Sequence, residues 1–206
     1  MSNSKEQKKL IFATGNANKM REIREILGGK GYEILSMKEA GVDIDVEEDG
    51  ATFEENALIK ARAIGKACGE LVLADDSGLV IDALGGEPGI YSARYMGHDT
   101  SYTEKNNNLI SRLEGVPDEK RTARFVCAMA AVFPDGTEKV ITGVMEGRIG
   151  YRIAGENGFG YDPIFFLPED GKTSAEISPE EKNAISHRGK ALRAMAEYLS
   201  EEKTEA

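Results

Sequence analysis

Four short segments carry most of the side chains able to do polar chemistry, and they follow one another in a fixed order: Thr14-Gly15-Asn16-Ala17-Asn18-Lys19, Ala74-Asp75-Asp76-Ser77-Gly78-Leu79, Phe159-Gly160-Tyr161-Asp162-Pro163 and Ser186-His187-Arg188. The first reads as a glycine-containing strand-to-helix turn. Its backbone N–H groups, the side chains of Thr14 and Asn16 and the amine of Lys19 suit a phosphate, although no Walker A loop is present. The second sets two adjacent carboxylates at a strand end, followed by Ser77. Neighbours on an extended chain point opposite ways, so one aspartate is expected to face a pocket and the other to brace the loop. A carboxylate there could hold Mg²⁺, or orient and deprotonate a water.

The third segment follows Gly155 and Gly158, so the loop reads as flexible until something orders it. Glycine lets the backbone approach a flat ligand, and an exposed ring offers a base a stacking surface of about 1–3 kcal/mol. In the fourth segment His187 and Arg188, together with Lys182 upstream, could read a carbonyl oxygen of a base or bind phosphate. Upstream of the aspartates, Glu47-Glu48-Asp49-Gly50 precedes a helix carrying Lys60. Glu48 with Asp76 would suffice for Mg²⁺, which takes one or two protein carboxylates plus phosphate oxygens and water. Each segment also has a plainer reading: a capped turn with a solvated lysine, an Asp-Asp-Ser-Gly turn, core aromatics, a structural histidine. The ordered set points beyond these, to hydrolysis of a nucleoside triphosphate.

The elements that must position these residues alternate. Leu10–Ala13 reads as a buried strand, followed by a helix with Ile23, Ile26 and Leu27 on one face and a stop at Gly28-Gly29. Tyr32–Leu35 is a second strand. Ala57, Ala61, Ile64 and Cys68 recur at helical spacing, and Gly69 ends that helix. Leu71–Ala74 and Leu79–Ala83 read as separate strands on either side of the aspartates. Arg124–Phe133 is apolar on both faces, as in a central strand, with Lys139–Met145 beside it. Ser178-Pro179-Glu180-Glu181 is a capping box with proline at the first helical position. Ser186-His187-Arg188 falls one to two turns into that helix, and Leu192, Met195, Ala196 and Leu199 mark a last amphipathic stretch. Helices and strands in this order predict an α/β fold on a mixed sheet.

The chain has 206 residues, enough for one large α/β domain or two interleaved lobes. Residues 1–8 read as a flexible leader, 9–200 as the domain with a second lobe within 80–150, and 201–206 as a charged tail. A net charge of −10 argues against general affinity for nucleic acid. No apolar run is long enough to span a bilayer, and a soluble, cytoplasmic protein is expected. Cys68 and Cys127 are expected as reduced thiols rather than a disulfide.

Taken together the segments resemble the inosine triphosphate pyrophosphatase family. The resemblance runs from Leu10 to Leu199 and includes T-G-N-x-x-K, E-E-x-G-x-T-F-x-E-N-A at Glu47–Ala57, A-D-D-S-G-L, Gly85 to Tyr95, F-G-Y-D-P-I-F and S-H-R-G-x-A-L. It implies an elongated, two-lobed α/β fold with a long central mixed β-sheet and the active site in the cleft between lobes. It also implies a homodimer, dependence on Mg²⁺, and conversion of dITP, ITP or XTP to the monophosphate and pyrophosphate. By position, Thr14 to Lys19 would bind phosphates and Glu48 with Asp76 the metal. Asp76 would be the general base and Ser77 would touch substrate. Phe159 to Asp162 would hold base and sugar, with Lys182, His187 and Arg188 on the purine edge. Three other readings stand beside this one. A Maf-type pyrophosphatase of other base preference fits the F-G-Y-D-P and S-H-R segments less well. An aspartyl-phosphate phosphatase would need D-x-D. A non-catalytic nucleotide sensor sits poorly with intact Lys19, Glu48 and Asp76.

Overall fold

The computed structural model describes residues 8–29 and 31–205. The leader read over residues 1–8 therefore lies outside the described residues, apart from Lys8, as does Ala206 of the tail. The chain runs β1 (Lys8–Phe12), α1 (Ala17–Leu27), β2 (Tyr32–Ser36), α2 (Phe53–Cys68), β3 (Leu71–Ile81), α3 (Tyr102–Arg112), β4 (Thr122–Val132), β5 (Glu138–Ile149), β6 (Phe165–Leu167), β7 (Lys172–Thr173), α4 (Pro179–Ile185) and α5 (His187–Glu205). The strands form one sheet in the order β2-β1-β3-β4-β5-β6-β7. It is mixed: β1 pairs in parallel with β2 and β3, whereas β6 is antiparallel to β5 and β7. The α/β fold expected from the alternating pattern is the one observed.

The chain divides into two compact units, one holding residues through Asp76, Ala128–Thr142 and Ala191 onward, the other Ser77–Cys127 and Gly143–Lys190. Small side chains build the first core. Ala57, Ala61 and Ile64 of α2 pack with Ile11, Val72, Ala74, Ala128 and Ala130. A Cβ on Gly65 would already sit 3.4 Å from Val132, so helix and strand approach closely there. The helix is fixed at both ends: Thr52 accepts from the Glu55 N–H, and Gly69 closes it in the left-handed conformation at φ 69°. The second core is bulkier, with Leu79, Leu109, Leu113, Phe125, Met145, Ile149, Ile164 and Phe165 buried together.

Three local features differ from the sequence expectation. Leu71–Ala74 and Leu79–Ala83 are not two strands; β3 runs unbroken through Asp75-Asp76-Ser77-Gly78 to Ile81. The aspartates therefore sit mid-strand, where their side chains find partners that make a turn unnecessary. The Ser178 helix stops at Ile185, because Ser186 adopts an extended conformation (φ −66°, ψ 154°). Its hydroxyl then accepts from the Gly189 N–H at 3.0 Å and caps α5, so His187 opens a new helix instead of continuing the old one. Finally, α3 carried a signal that the apolar pattern hid. Ser101 and Glu104 form a capping box, but the run Asn106-Asn107-Asn108 is a poor helix former. Cys68 is half-buried and Cys127 buried, and no disulfide joins them.

Candidate active site

In the first unit, β3 displays its two aspartates to different partners, as alternation on a strand requires. Asp75 is fully buried and pairs with Lys19 Nζ at 3.0 Å, while Lys60 Nζ donates to the Asp75 carbonyl, also at 3.0 Å. Lys60 further pairs with Glu48 at 2.8 Å. Asp76 accepts from Asn56 Nδ2 at 3.0 Å, and the Asn56 Oδ1 accepts from the Gly50 N–H at 2.8 Å. Asn56 thus ties the acidic Glu47–Gly50 loop to the strand. Burial pushes the Asp76 carboxyl above its ordinary range. The Asn56 hydrogen bond pulls it back, the Glu48 charge pushes it further up, and Lys60 and Lys19 lower it.

The turn at Thr14 to Lys19 leads from β1 into α1. Asn16 caps the helix, its Oδ1 accepting from the N–H groups of Asn18 (2.9 Å) and Lys19 (3.3 Å). Thr14 Oγ1 accepts from the Asn16 N–H at 3.1 Å. Both side-chain oxygens shape the turn as acceptors, which leaves the Thr14 hydroxyl proton and the Asn16 NH₂ as donors. Gly15 and Ala17 are exposed, and nothing lies within 4 Å of a Cβ built on Gly15. The open side of the turn remains accessible.

In the second unit, Asp162 is a buried hub. Its Oδ2 accepts from Lys182 Nζ at 2.6 Å and from the Phe159 N–H at 2.8 Å, and its Oδ1 from the Ser174 hydroxyl at 2.8 Å. Phe159 is half-buried, with Lys182 Nζ 4.9 Å and Arg188 Cζ 5.7 Å from its ring centre. Arg188 reaches Ser77 Oγ at 3.5 Å, the outer limit of a hydrogen bond. His187 is buried at the start of α5, stacked on Phe125 with ring centres 4.9 Å apart. Tyr161 is an anchor: buried, donating from its hydroxyl to the Ser92 carbonyl at 2.7 Å, with Tyr102 edge-on at 5.2 Å. The loop is not loose despite its glycines. The N–H groups of Glu156 and Asn157 donate to the Ala175 carbonyl, and Asn157 Nδ2 to the Ile177 carbonyl. A Cβ at Gly155 would lie 2.3 Å from the Ala175 backbone, and one at Gly158 2.2 Å from Asp162 Oδ2. These glycines serve close approach rather than mobility.

The structure thus gathers Lys19, Glu48, Lys60 and Asp76 around one strand, and Ser77, Phe159, Asp162, Lys182 and Arg188 around one ring. Asp75 and Asn56 belong to the first group without having been singled out as site residues. The signal for Asn56 was present, since it stands between the acidic loop and Lys60, but its partner lies twenty positions away. Among the described residues, no cluster of three or more His, Cys, Asp or Glu side chains could hold a metal by itself. Glu48 and Asp76 instead form a two-carboxylate pair close enough for the Glu48 charge to bear on Asp76. That pattern suits an ion that takes its remaining ligands from phosphate and water. A half-buried carboxylate of raised basicity beside two lysines can also activate a water next to a polyanion.

A family model described as the Ham1 family matches residues 10–198. A dITP/XTP pyrophosphatase of Caldanaerobacter subterraneus is 52% identical over 192 residues, covering 93% of this chain and 96% of that protein. A dITP/XTP pyrophosphatase of Bacillus subtilis is 47% identical over 192 residues, covering 93% and 97% respectively. The solved structure of the Staphylococcus aureus Ham1 protein superposes with a TM-score of 0.86 at 42% identity, covering 95% of this chain and all of that one. With its motifs, its sheet and nearly its whole length matched, the chain belongs to the Ham1 family.

Proposed function

We propose that this protein hydrolyses non-standard purine nucleoside triphosphates, dITP, ITP and XTP, to the nucleoside monophosphate and pyrophosphate. The observation that carries the reading is Asp76: a half-buried carboxylate, raised in basicity and oriented by Asn56, beside Glu48, Lys60 and Lys19. Family membership and about 50% identity to proteins named dITP/XTP pyrophosphatases support the same substrate class.

In this reading Lys19, Lys60 and the open turn at Thr14 to Lys19 bind the phosphates. Asp76 accepts the proton of the attacking water. Held by Asn56 at 3.0 Å, it is oriented to take that proton. Glu48 and Asp76 would hold Mg²⁺, which when bound offsets phosphate charge and polarises the P–O bonds. Lys60, which pairs with Glu48 at 2.8 Å, would be free to turn to a phosphate oxygen were Glu48 to hold the metal. In the second unit Phe159 offers a face to the purine, Lys182 and Arg188 supply donors to its edge, and Asp162 holds Lys182 and the Phe159 backbone in place. His187, fixed by Phe125, adds a donor, and Ser77, next to Asp76 in β3, touches the substrate. A site that donates to a 6-oxo group leaves its donors unpaired against a 6-amino group, which can reject ATP by about 10⁴–10⁵-fold.

A homodimer working in the cytoplasm, where the nucleotide pool lies, is part of this proposal; light scattering of the purified protein tests the assembly. The chemistry is tested by pyrophosphate release from ITP, XTP, GTP and ATP with Mg²⁺, comparing wild type with Asp76→Asn. Strong turnover of ITP and XTP, lost in the variant, is expected. Equal turnover of all four would sink the base selectivity, and binding of ITP without turnover would favour a nucleotide sensor.

A further inference from the structure

The loop that carries Phe159 is clasped from outside by one face of α3. Tyr102, Lys105, Asn106 and Leu109 stand at helical spacing on that face. Leu109 is rooted in the core. Tyr102 packs its ring against Tyr161, and a Cβ on Gly160 would meet that same ring at 3.5 Å. Lys105 Nζ donates to the Ala93 carbonyl at 2.9 Å. Asn106 Nδ2 donates to the Gly160 carbonyl at 3.1 Å, and Asn106 is 2% exposed. Gly160 itself is left-handed, at φ 69°, so the peptide that Asn106 grips is the one where the chain reverses between Phe159 and Tyr161. The other side of the reversal is pinned by Asp162, which takes the Phe159 N–H.

The second polar atom of Asn106 argues that the residue serves more than packing. Its Oδ1 is buried with no hydrogen-bond partner among the described residues. A buried acceptor in that state costs stability, and an apolar side chain of similar size would avoid the cost. What an apolar residue cannot supply is the donor to Gly160.

We propose that Asn106 is a positioning residue for the base: by holding the Gly160 carbonyl it sets the direction in which the Phe159 ring faces Lys182 and Arg188. The inference rests on the proposed nucleotide hydrolysis. It assigns to α3, which lies outside every motif that touches substrate, control over how tightly the base is held. Chemistry at Asp76 does not pass through this contact. Loss of the donor therefore weakens binding of ground state and transition state alike, and appears in KM rather than kcat.

Steady-state hydrolysis of ITP with Mg²⁺ tests it, for wild type, Asn106→Leu and Asn106→Ala, with a thermal melt of each. Asn106→Ala removes the donor without adding bulk or charge inside the fold and favours the helix, so it guards against a Leu variant that fails to fold. The expected result is a KM raised about tenfold in both variants, the equivalent of one ordinary hydrogen bond, with kcat within about threefold of wild type. A lowered Tm with KM unchanged would make Asn106 merely structural and overturn the proposal, as would unchanged kinetics in both variants. If wild type itself leaves ITP intact, the underlying function has failed, and that outcome is read from the wild-type arm alone.

Discussion

Asn56 and Asp76, twenty positions apart, are joined by a 3.0 Å hydrogen bond whose donor side chain is itself fixed by the Gly50 N–H. Asn56 is 1% exposed, so neither of its bonds can be replaced by solvent at low cost. This makes it the support on which the orientation of the proposed general base depends.

The first prediction follows. Asn56→Leu removes the donor to Asp76 and strands the Gly50 N–H, which should cost about 1–3 kcal/mol of stability. Turnover of ITP should fall by about 10–100-fold, as when an outer support of a catalytic carboxylate is lost. Pyrophosphate release and urea unfolding measure the two effects. Near-normal turnover in a folded variant would remove Asn56 from the site.

The ion pair of Lys182 with Asp162 is buried on both sides, with side-chain exposures of 7% and 3%. Replacing one member leaves the other charge buried alone, a loss of about 3–5 kcal/mol. Asp162→Ala should therefore destabilise strongly and also free the Phe159 N–H. The double variant Asp162→Ala with Lys182→Met should recover part of the stability while remaining unable to hold ITP. Chemical denaturation of the two single variants and the double completes the cycle, and strict additivity would contradict the pairing.

How far the sequence alone reaches can be judged from particular residues. The Ser178 capping box was readable because its partner lies three positions away, within one helical turn. The candidate site residues were picked out in the same way, as short ordered motifs. Their partnerships were not. Lys19 and Asp75 are separated by 56 positions, and Asp162 and Lys182 by 20. Such contacts are made by sheet order and helix placement, which local pattern does not encode. The same limit explains the strand through Asp75 and Asp76. Aspartate disfavours strands locally, but here burial beside Lys19 and the bond from Asn56 override that preference.

Glycine contacts separate two kinds of loop. At Gly155 a Cβ would meet the Ala175 backbone at 2.3 Å with φ at 86°, and backbone cannot step aside. Gly155→Ala should thus cost well over 1 kcal/mol and raise KM for ITP by displacing the Phe159 loop. Gly15, with open space around it and φ outside the left-handed region, should accept alanine with less than about 0.5 kcal/mol change. Thermal melts of both variants check the contrast, and a Gly155→Ala protein as stable as wild type would refute the close approach.

The last prediction concerns alkaline pH. Burial, with the neighbouring Tyr102 and Tyr95 adding to it, pushes the Tyr161 phenol far above its ordinary value of 10.0. Burial alone pushes Tyr102 up as well. The folded state therefore keeps protons that the unfolded chain gives up. Stability from these groups is fully present below pH 10 and is lost as pH rises beyond it, because the unfolded state gains by ionising while the folded state does not. Urea midpoints should be flat in this respect from pH 8 to 9.5 and fall as pH rises from 10 to 11. Tyr161→Phe forfeits the hydrogen bond to the Ser92 carbonyl and should be less stable at pH 8. Its midpoint should nevertheless decline less steeply above pH 10, so that the two curves converge. Parallel curves across that range would mean that Tyr161 ionises as readily folded as unfolded, and would rule out its burial as the source of the alkaline loss.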